Sequence, residues 1–85
     1  MATIDPSEWH NTGSNGKASA VWVRKSGTLT AEIRVMSYRV MATLYVGKEI
    51  DRDYEGIPFP KLSDAQTWAV SLMLRMHARG IGIEV

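Results

Sequence analysis

The reading of this chain turns on residues 18–47, ASAVWVRKSGTLTAEIRVMSYRVMATLYVG. Val21 and Val23 alternate with Trp22 and Arg24, and Leu29, Ala31, Ile33 and Val35 alternate with Thr30, Glu32, Arg34 and Met36. Val40, Ala42, Leu44 and Val46 then alternate with Met41 and Tyr45. A period of two marks half-buried strands, so the stretch predicts three antiparallel strands sharing one aliphatic face. The opposite, outer face is expected to carry Trp22, Arg24, Arg34, Met36, Arg39, Met41 and Tyr45.

Register follows from keeping the aliphatic face continuous, because a one-residue slip turns a whole strand over. Facing Val23 with Leu29 and Val21 with Ala31 requires a three-residue loop, Lys25-Ser26-Gly27, with Gly27 at the left-handed position of a bulge. Beyond Val35 the aliphatic parity changes from odd to even. Pairing Val35 with Val40, Ile33 with Ala42, Ala31 with Leu44 and Leu29 with Val46 restores the face and leaves Ser37-Tyr38 as the loop. A wider loop around residues 36–39 fits equally well. On the outer face this register sets Arg34 opposite Met41, Met36 opposite Arg39, and Thr30 between Tyr45 on one side and Trp22 on the other.

Outward from the meander, residues 1–16 read as a mostly irregular arm and residues 17–85 as a single domain. Asp5-Pro6-Ser7-Glu8 has the form of a helix start, the connector from Asn11 to Gly16 is rich in glycine and asparagine, and Trp9 is expected to pack on the domain. Residues 47–62 form a connector in which Pro58 and Pro60 exclude a helix and a central strand; Phe59 is expected to close one end of the core. Ser63 with Gln66 makes a capping box, and Gly80 makes a C-terminal stop. Between them Ala65, Trp68, Ala69, Leu72, Met73 and Met76 recur at helical spacing. Ile81, Ile83 and Val85 alternate and predict a short fourth strand at a sheet edge. The expected class is therefore α+β: a three-stranded antiparallel meander, one helix on one face and a short C-terminal strand, in the order β-β-β-α-β.

Composition narrows the function. The 85 residues include no cysteine, so disulfides and thiolate metal sites are excluded and a reducing, cytoplasmic setting is expected. The first residues lack a secretory pattern, and no run approaches the roughly 20 apolar residues of a membrane span. The net charge of +1 hides an asymmetry. Six basic residues (Lys17, Arg24, Lys25, Arg34, Arg39, Lys48) stand against Glu32 in residues 17–48, whereas residues 49–64 carry Glu49, Asp51, Asp53, Glu55 and Asp64 against Arg52 and Lys61.

No catalytic or metal pattern emerges. His10 and His77 lack further ligands at zinc spacing. Asp51, Asp53 and Glu55 followed by Gly56 imitate the start of a calcium loop, but Leu62 stands where its bidentate Glu belongs. Neither a nucleophile turn nor a phosphate-binding glycine pattern is present. The expectation is a non-enzymatic protein without metal or cofactor.

Three binding surfaces remain. The outer sheet face combines Arg, Met and aromatics, residue types enriched at interfaces; the arm, with Ile4 and Trp9, or the acidic loop could instead cover it. The loop itself offers Asp51, Asp53 and Glu55 to a basic partner or as a mimic of phosphates. On the helix, Val70 and Leu74 point away from the core stripe and offer a small patch for a homodimer or other partner, unless the arm or the Pro58-Phe59-Pro60 segment covers them.

Over about residues 20–79, three strands followed by Phe59, Ser63, Ala65, Trp68 and Ala69 resemble the arm-type DNA-binding domains of phage and transposon integrases. That resemblance implies a sheet laid in the major groove, with Arg24, Arg34 and Arg39 on phosphates and Trp22 and Tyr45 stacking or wedging. In size and element order the chain is also similar to small phage proteins that block host defence, anti-CRISPR proteins among them. This second likeness implies an inhibitor or adaptor acting by occupancy on a protein or nucleoprotein partner. The near-neutral charge ranks the protein partner ahead of nucleic acid.

Overall fold

The computed structural model of the protein describes residues 9–14 and 16–83. The expected helix start at Asp5-Pro6-Ser7-Glu8, together with Ile4 and Val85, lies outside the described residues. The fold is α+β, one helix on an antiparallel sheet, but the sheet has six strands rather than three. In chain order these are β1 (His10–Asn11), β2 (Ala20–Ser26), β3 (Leu29–Val35), β4 (Val40–Val46), β5 (Glu49–Ile50) and β6 (Ile57–Phe59), followed by helix α1 (Leu62–Ala78). The spatial order is β1-β2-β3-β4-β5, with β6 pairing the other end of the same edge of β4.

The second hairpin has the expected register: Leu29 faces Val46, Ala31 Leu44, Ile33 Ala42 and Val35 Val40. A backbone bond of 2.8 Å from Met36 N–H to the Arg39 carbonyl closes its loop at Ser37-Tyr38.

The first hairpin departs from expectation. Ser26 faces Leu29, so the loop is the two residues Gly27-Thr28, and Trp22 faces Ile33 while Arg24 faces Ala31. Gly27, at φ 62°, occupies the first central position of the turn, where a type II′ hairpin needs a glycine. Shortening the loop by one residue reverses the faces of β2. Trp22 and Arg24 turn toward the helix, and Val21 and Val23 take the other side of the sheet, where Val21 is nonetheless buried and Val23 half-buried.

Pairs too short to show periodicity extend the sheet on both sides. His10 faces Val23 and Asn11 faces Trp22, so part of the arm expected to be irregular is a strand. Gly47-Lys48 makes a third tight turn, into β5, where Ile50 faces Tyr45. The chain then leaves the edge through a 3₁₀ turn, Arg52–Tyr54, and returns as β6, with Phe59 facing Val40 and Pro58 facing Met41. Pro58 is tolerated because β6 is an edge strand.

The core lies between α1 and the inner sheet face. Ala31, Ala42, Ala65 and Ala69 are all buried and let the helix approach closely. Leu29, Ile33 and Leu44 are fully enclosed beside them. Around this small-residue centre stand the larger rings: Trp68 with Phe59 at 5.3 Å and Tyr54 at 6.0 Å, and Trp9 and Trp22 on the β2 side. Such pairing of small and large residues is how a sheet and a helix fill space at native density.

The helix starts earlier than the expected capping box. Lys61 is the N-cap and makes no side-chain capping bond. Leu62 packs against the Ile33, Val40, Ala42 and Ala65 cluster, so beginning at Leu62 gains apolar contact that a start at Ser63 would forfeit. The C-terminal stop is as expected: Gly80 N–H donates to His77 O and Ile81 N–H to Met76 O, both at 2.9 Å, the paired bonds of a Schellman motif.

The expected C-terminal strand is absent through Ile83. Residues 81–83 instead cross the first hairpin turn, where the Gly82 carbonyl accepts from Thr28 N–H at 2.9 Å. The outer edge of β4 carries β5 and β6, and that of β2 carries β1 at Trp22 and Val23. Gly82 fits at φ 76° only because it lacks a Cβ, which would lie 2.3 Å from Leu29 Cγ. Among the described residues no helix is long and apolar enough to cross a membrane.

Candidate functional site on the outer sheet face

The outer face is built by alternate residues of β3 and β4. Because Leu29, Ala31, Ile33 and Leu44 are committed to the core, the pleat sends Glu32, Arg34, Met41, Thr43 and Tyr45 the other way. Met36 continues this face past the end of β3. Together they line a hollow of about 340 Å³ whose far wall is Ile50, Glu55 and Gly56. Gly56 N–H donates to Thr43 Oγ1 at 3.1 Å, tying the returning loop to β4. A Cβ on Gly56 would lie 3.3 Å from Met41 Cε, so glycine lets this wall close on the methionine.

Charges of both signs ring the hollow. Arg34 Nε donates to Glu32 Oε1 at 2.9 Å, which orients the guanidinium along the sheet and leaves its terminal N–H groups for another acceptor. As an exposed pair this bridge adds about 0–1 kcal/mol to stability; its effect is on orientation. Burial, followed by the nearby Glu32 carboxylate, raises the Tyr45 phenol above its ordinary pKa, so near neutrality the ring presents a neutral O–H. Outside the hollow, Arg39 lies over the exposed Tyr38 ring at 5.1 Å, a cation–π pair on the hairpin loop.

Arg34, Met36, Met41 and Tyr45 are therefore brought together as expected, with Arg39 on the adjoining loop. Trp22 and Arg24 are not part of this face. Trp22 packs against the Ile33, Val40, Ala42 and Ala65 cluster, and Arg24 lies over the Trp9 ring at 6.0 Å on the helix side. Trp9 itself packs against the core and does not cover the outer face.

The chain matches no family model, no curated protein and no solved structure. Function is therefore argued from the geometry of the surface.

The acidic loop divides by role. Asp51 Oδ1 accepts from Asp53 N–H at 3.1 Å and caps the 3₁₀ turn, so its carboxylate is occupied locally. Asp53 is exposed, and Glu55 forms the rim of the outer hollow. Sequence reasoning had no means of finding the contribution of Ile50, Glu55 and Gly56 to this wall, since it depends on where β5 and β6 attach. It also missed a pairing of Ser26 Oγ with His77 Nε2 at 3.0 Å, which ties the end of β2 to α1. No carboxylate among the described residues bonds the same histidine.

On the helix, Val70 is half-buried and Leu74 is 65% exposed. Trp9 stands beside them across a hollow of about 420 Å³. Phe59 lies with Trp68 and the Ile33–Val40 cluster instead.

Proposed function

We propose that the chain is a small binding protein that acts by occupancy and seats a protein partner on the outer face of its sheet. The observation that carries this reading is the hollow floored by Met41 and Tyr45, with Met36 beside them and Arg34 held by Glu32 at its rim. Methionine adapts to irregular apolar partners, and Tyr and Arg are the residues that most often dominate interface energetics.

The sign of the charges favours protein over nucleic acid. Binding to a phosphate backbone draws its affinity from clustered cations. Here Glu32 and Glu55 flank Arg34, and Arg24, which the DNA reading needs, belongs to the opposite face. Small size, shared with phage inhibitors, extends the reading to an inhibitor or adaptor of a nucleic-acid-handling complex.

The test compares wild type with the Arg34→Glu, Met41→Asp double variant in co-purification from the source cells, with bound proteins identified by mass. The reading expects at least a tenfold loss of the specific partner, with thermal melting changed little because both side chains are at least partly solvent-accessible. Retention of the partner by the variant overturns it. So does micromolar binding of mixed single- and double-stranded DNA that collapses between about 50 and 200 mM salt.

A further inference from the structure

We infer that the solvent side of α1 docks a second copy of this chain, with the two helices antiparallel. Thr67 stands three and four residues before Val70 and Ser71, and Leu74 four and three residues after them, so the four form a single stripe. Leu74 protrudes from it, 65% exposed. Beside it lies the hollow of about 420 Å³ walled by Trp9, Val70 and Leu74, with only Gln66, Thr67 and Ser71 as polar lining. The hollow has no charged side chain in its wall, so it suits an uncharged apolar protrusion. One surface thus offers both a protrusion and a recess: Leu74 forms one wall, and Val70 and Thr67 lie roughly 6–10 Å from it along the helix at 1.5 Å per residue.

A twofold axis that reverses the helix direction brings Leu74 of each copy against Thr67 and Val70 of the other. This is the self-matching arrangement an isologous dimer requires. Charge selects the same direction. Asp64 stands before the stripe, and Arg75 and Arg79 follow it; all three are exposed. Parallel packing would set like charges together, whereas antiparallel packing faces each Asp64 with the Arg75–Arg79 end of its partner and opposes the helix dipoles. Lys61 lies one turn farther from the stripe and weakens this match only at the extreme end.

Self-complementarity in both shape and sign argues for a second copy over an unrelated partner, which would need to fill only the recess. A contact of one helix and one Trp falls at the small end of specific interfaces, below about 1,200 Å² in total, so the dimer is expected to be micromolar. It leaves both outer sheet faces exposed, since they lie on the other side of the sheet from α1, and the inference does not depend on what those faces bind.

Sedimentation equilibrium over roughly 5–500 μM tests the proposal, a range chosen to span a micromolar dimer. The apparent mass should rise from the 9.5 kDa of one chain toward twice that value. Leu74→Asp should weaken association at least tenfold with unchanged circular dichroism and melting. Asp64→Arg should weaken it several-fold, and adding Arg75→Asp and Arg79→Asp should restore it. A wild-type protein that stays at the mass of one chain overturns the inference and leaves the hollow to a partner of different sequence. Association that survives Leu74→Asp, growth beyond the dimer, or failure of the charge swap to restore binding also overturns it.

Discussion

The two faces of the sheet are made by alternate residues of the same strands and have opposite relations to solvent. On the inner face Ala31, Ile33, Ala42 and Leu44 are enclosed, and shape decides what is tolerated. On the outer face Arg34, Met41 and Tyr45 surround an open hollow, and chemistry decides what can bind. In a domain of this size the whole stability is on the scale of about 4–13 kcal/mol. The inner face should therefore govern whether the protein folds, and the outer face what it contacts once folded.

The largest expected effect is on the inner face. Leu44→Ala removes a fully enclosed side chain and should cost about 2–5 kcal/mol, read as a lowered denaturant midpoint. A loss under about 1 kcal/mol would mean that this face is not close-packed. Next comes β2, whose reversal is specific to the two-residue turn. Trp22→Ala should cost about 2–3 kcal/mol because Trp22 packs on Ile33 and Ala42. Val23→Ala, on the outer side opposite Glu32, should cost under about 1 kcal/mol. The opposite ranking would restore the three-residue loop and place Trp22 outside.

Gly82→Ala probes where the tail crosses the core, since the added methyl would meet Leu29 at a positive φ. A loss of about 1–2 kcal/mol is expected, and an unchanged melting temperature would detach the tail from the hairpin. The smallest effect belongs to the outer face. The Tyr45 phenol has a folded pKa raised above 10.0, first by burial and then by Glu32. The stability it contributes is present below the unfolded value and is lost as pH rises through the folded one. Wild type should accordingly lose more stability between about pH 9 and 12 than Tyr45→Phe does. Parallel losses in urea titrations would show that folding does not raise the phenol's pKa.

The two hairpins show how much of this was legible. In the second, aliphatic residues alternate along both strands, so one register turns all eight aliphatic partners to the inner face and any slip divides them between the faces. In the first, Ala20-Val21-Trp22-Val23 is apolar at both parities, and either face of β2 could turn inward. A turn and a packing feature distant in the chain decide it together. Gly27 supplies the positive φ of a two-residue turn, and the alanines of the centre leave room at their side for an indole. Of the candidate site, Arg34, Met36, Met41 and Tyr45 are legible from alternation, whereas Trp22 and Arg24 join them only with a three-residue first loop, which the Ser26–Leu29 pairing rules out. Glu55 and Ile50 reach the hollow only through edge pairings of two or three residues, too short to carry a period.

By itself the sequence determined the three long strands, the register of the second hairpin, the helix with its inward stripe and its Gly80 stop, and the mixed Arg, Met and Tyr character of the outer face. Each follows from interactions between near neighbours or from a period repeated often enough to be unambiguous. The tertiary structure decided the face of β2, the attachment of β1, β5 and β6, the helix start at Leu62 and the path of the tail over Leu29. These depend on space left between side chains distant in the chain and on which backbone edges remain open, and neither is a property of any local stretch.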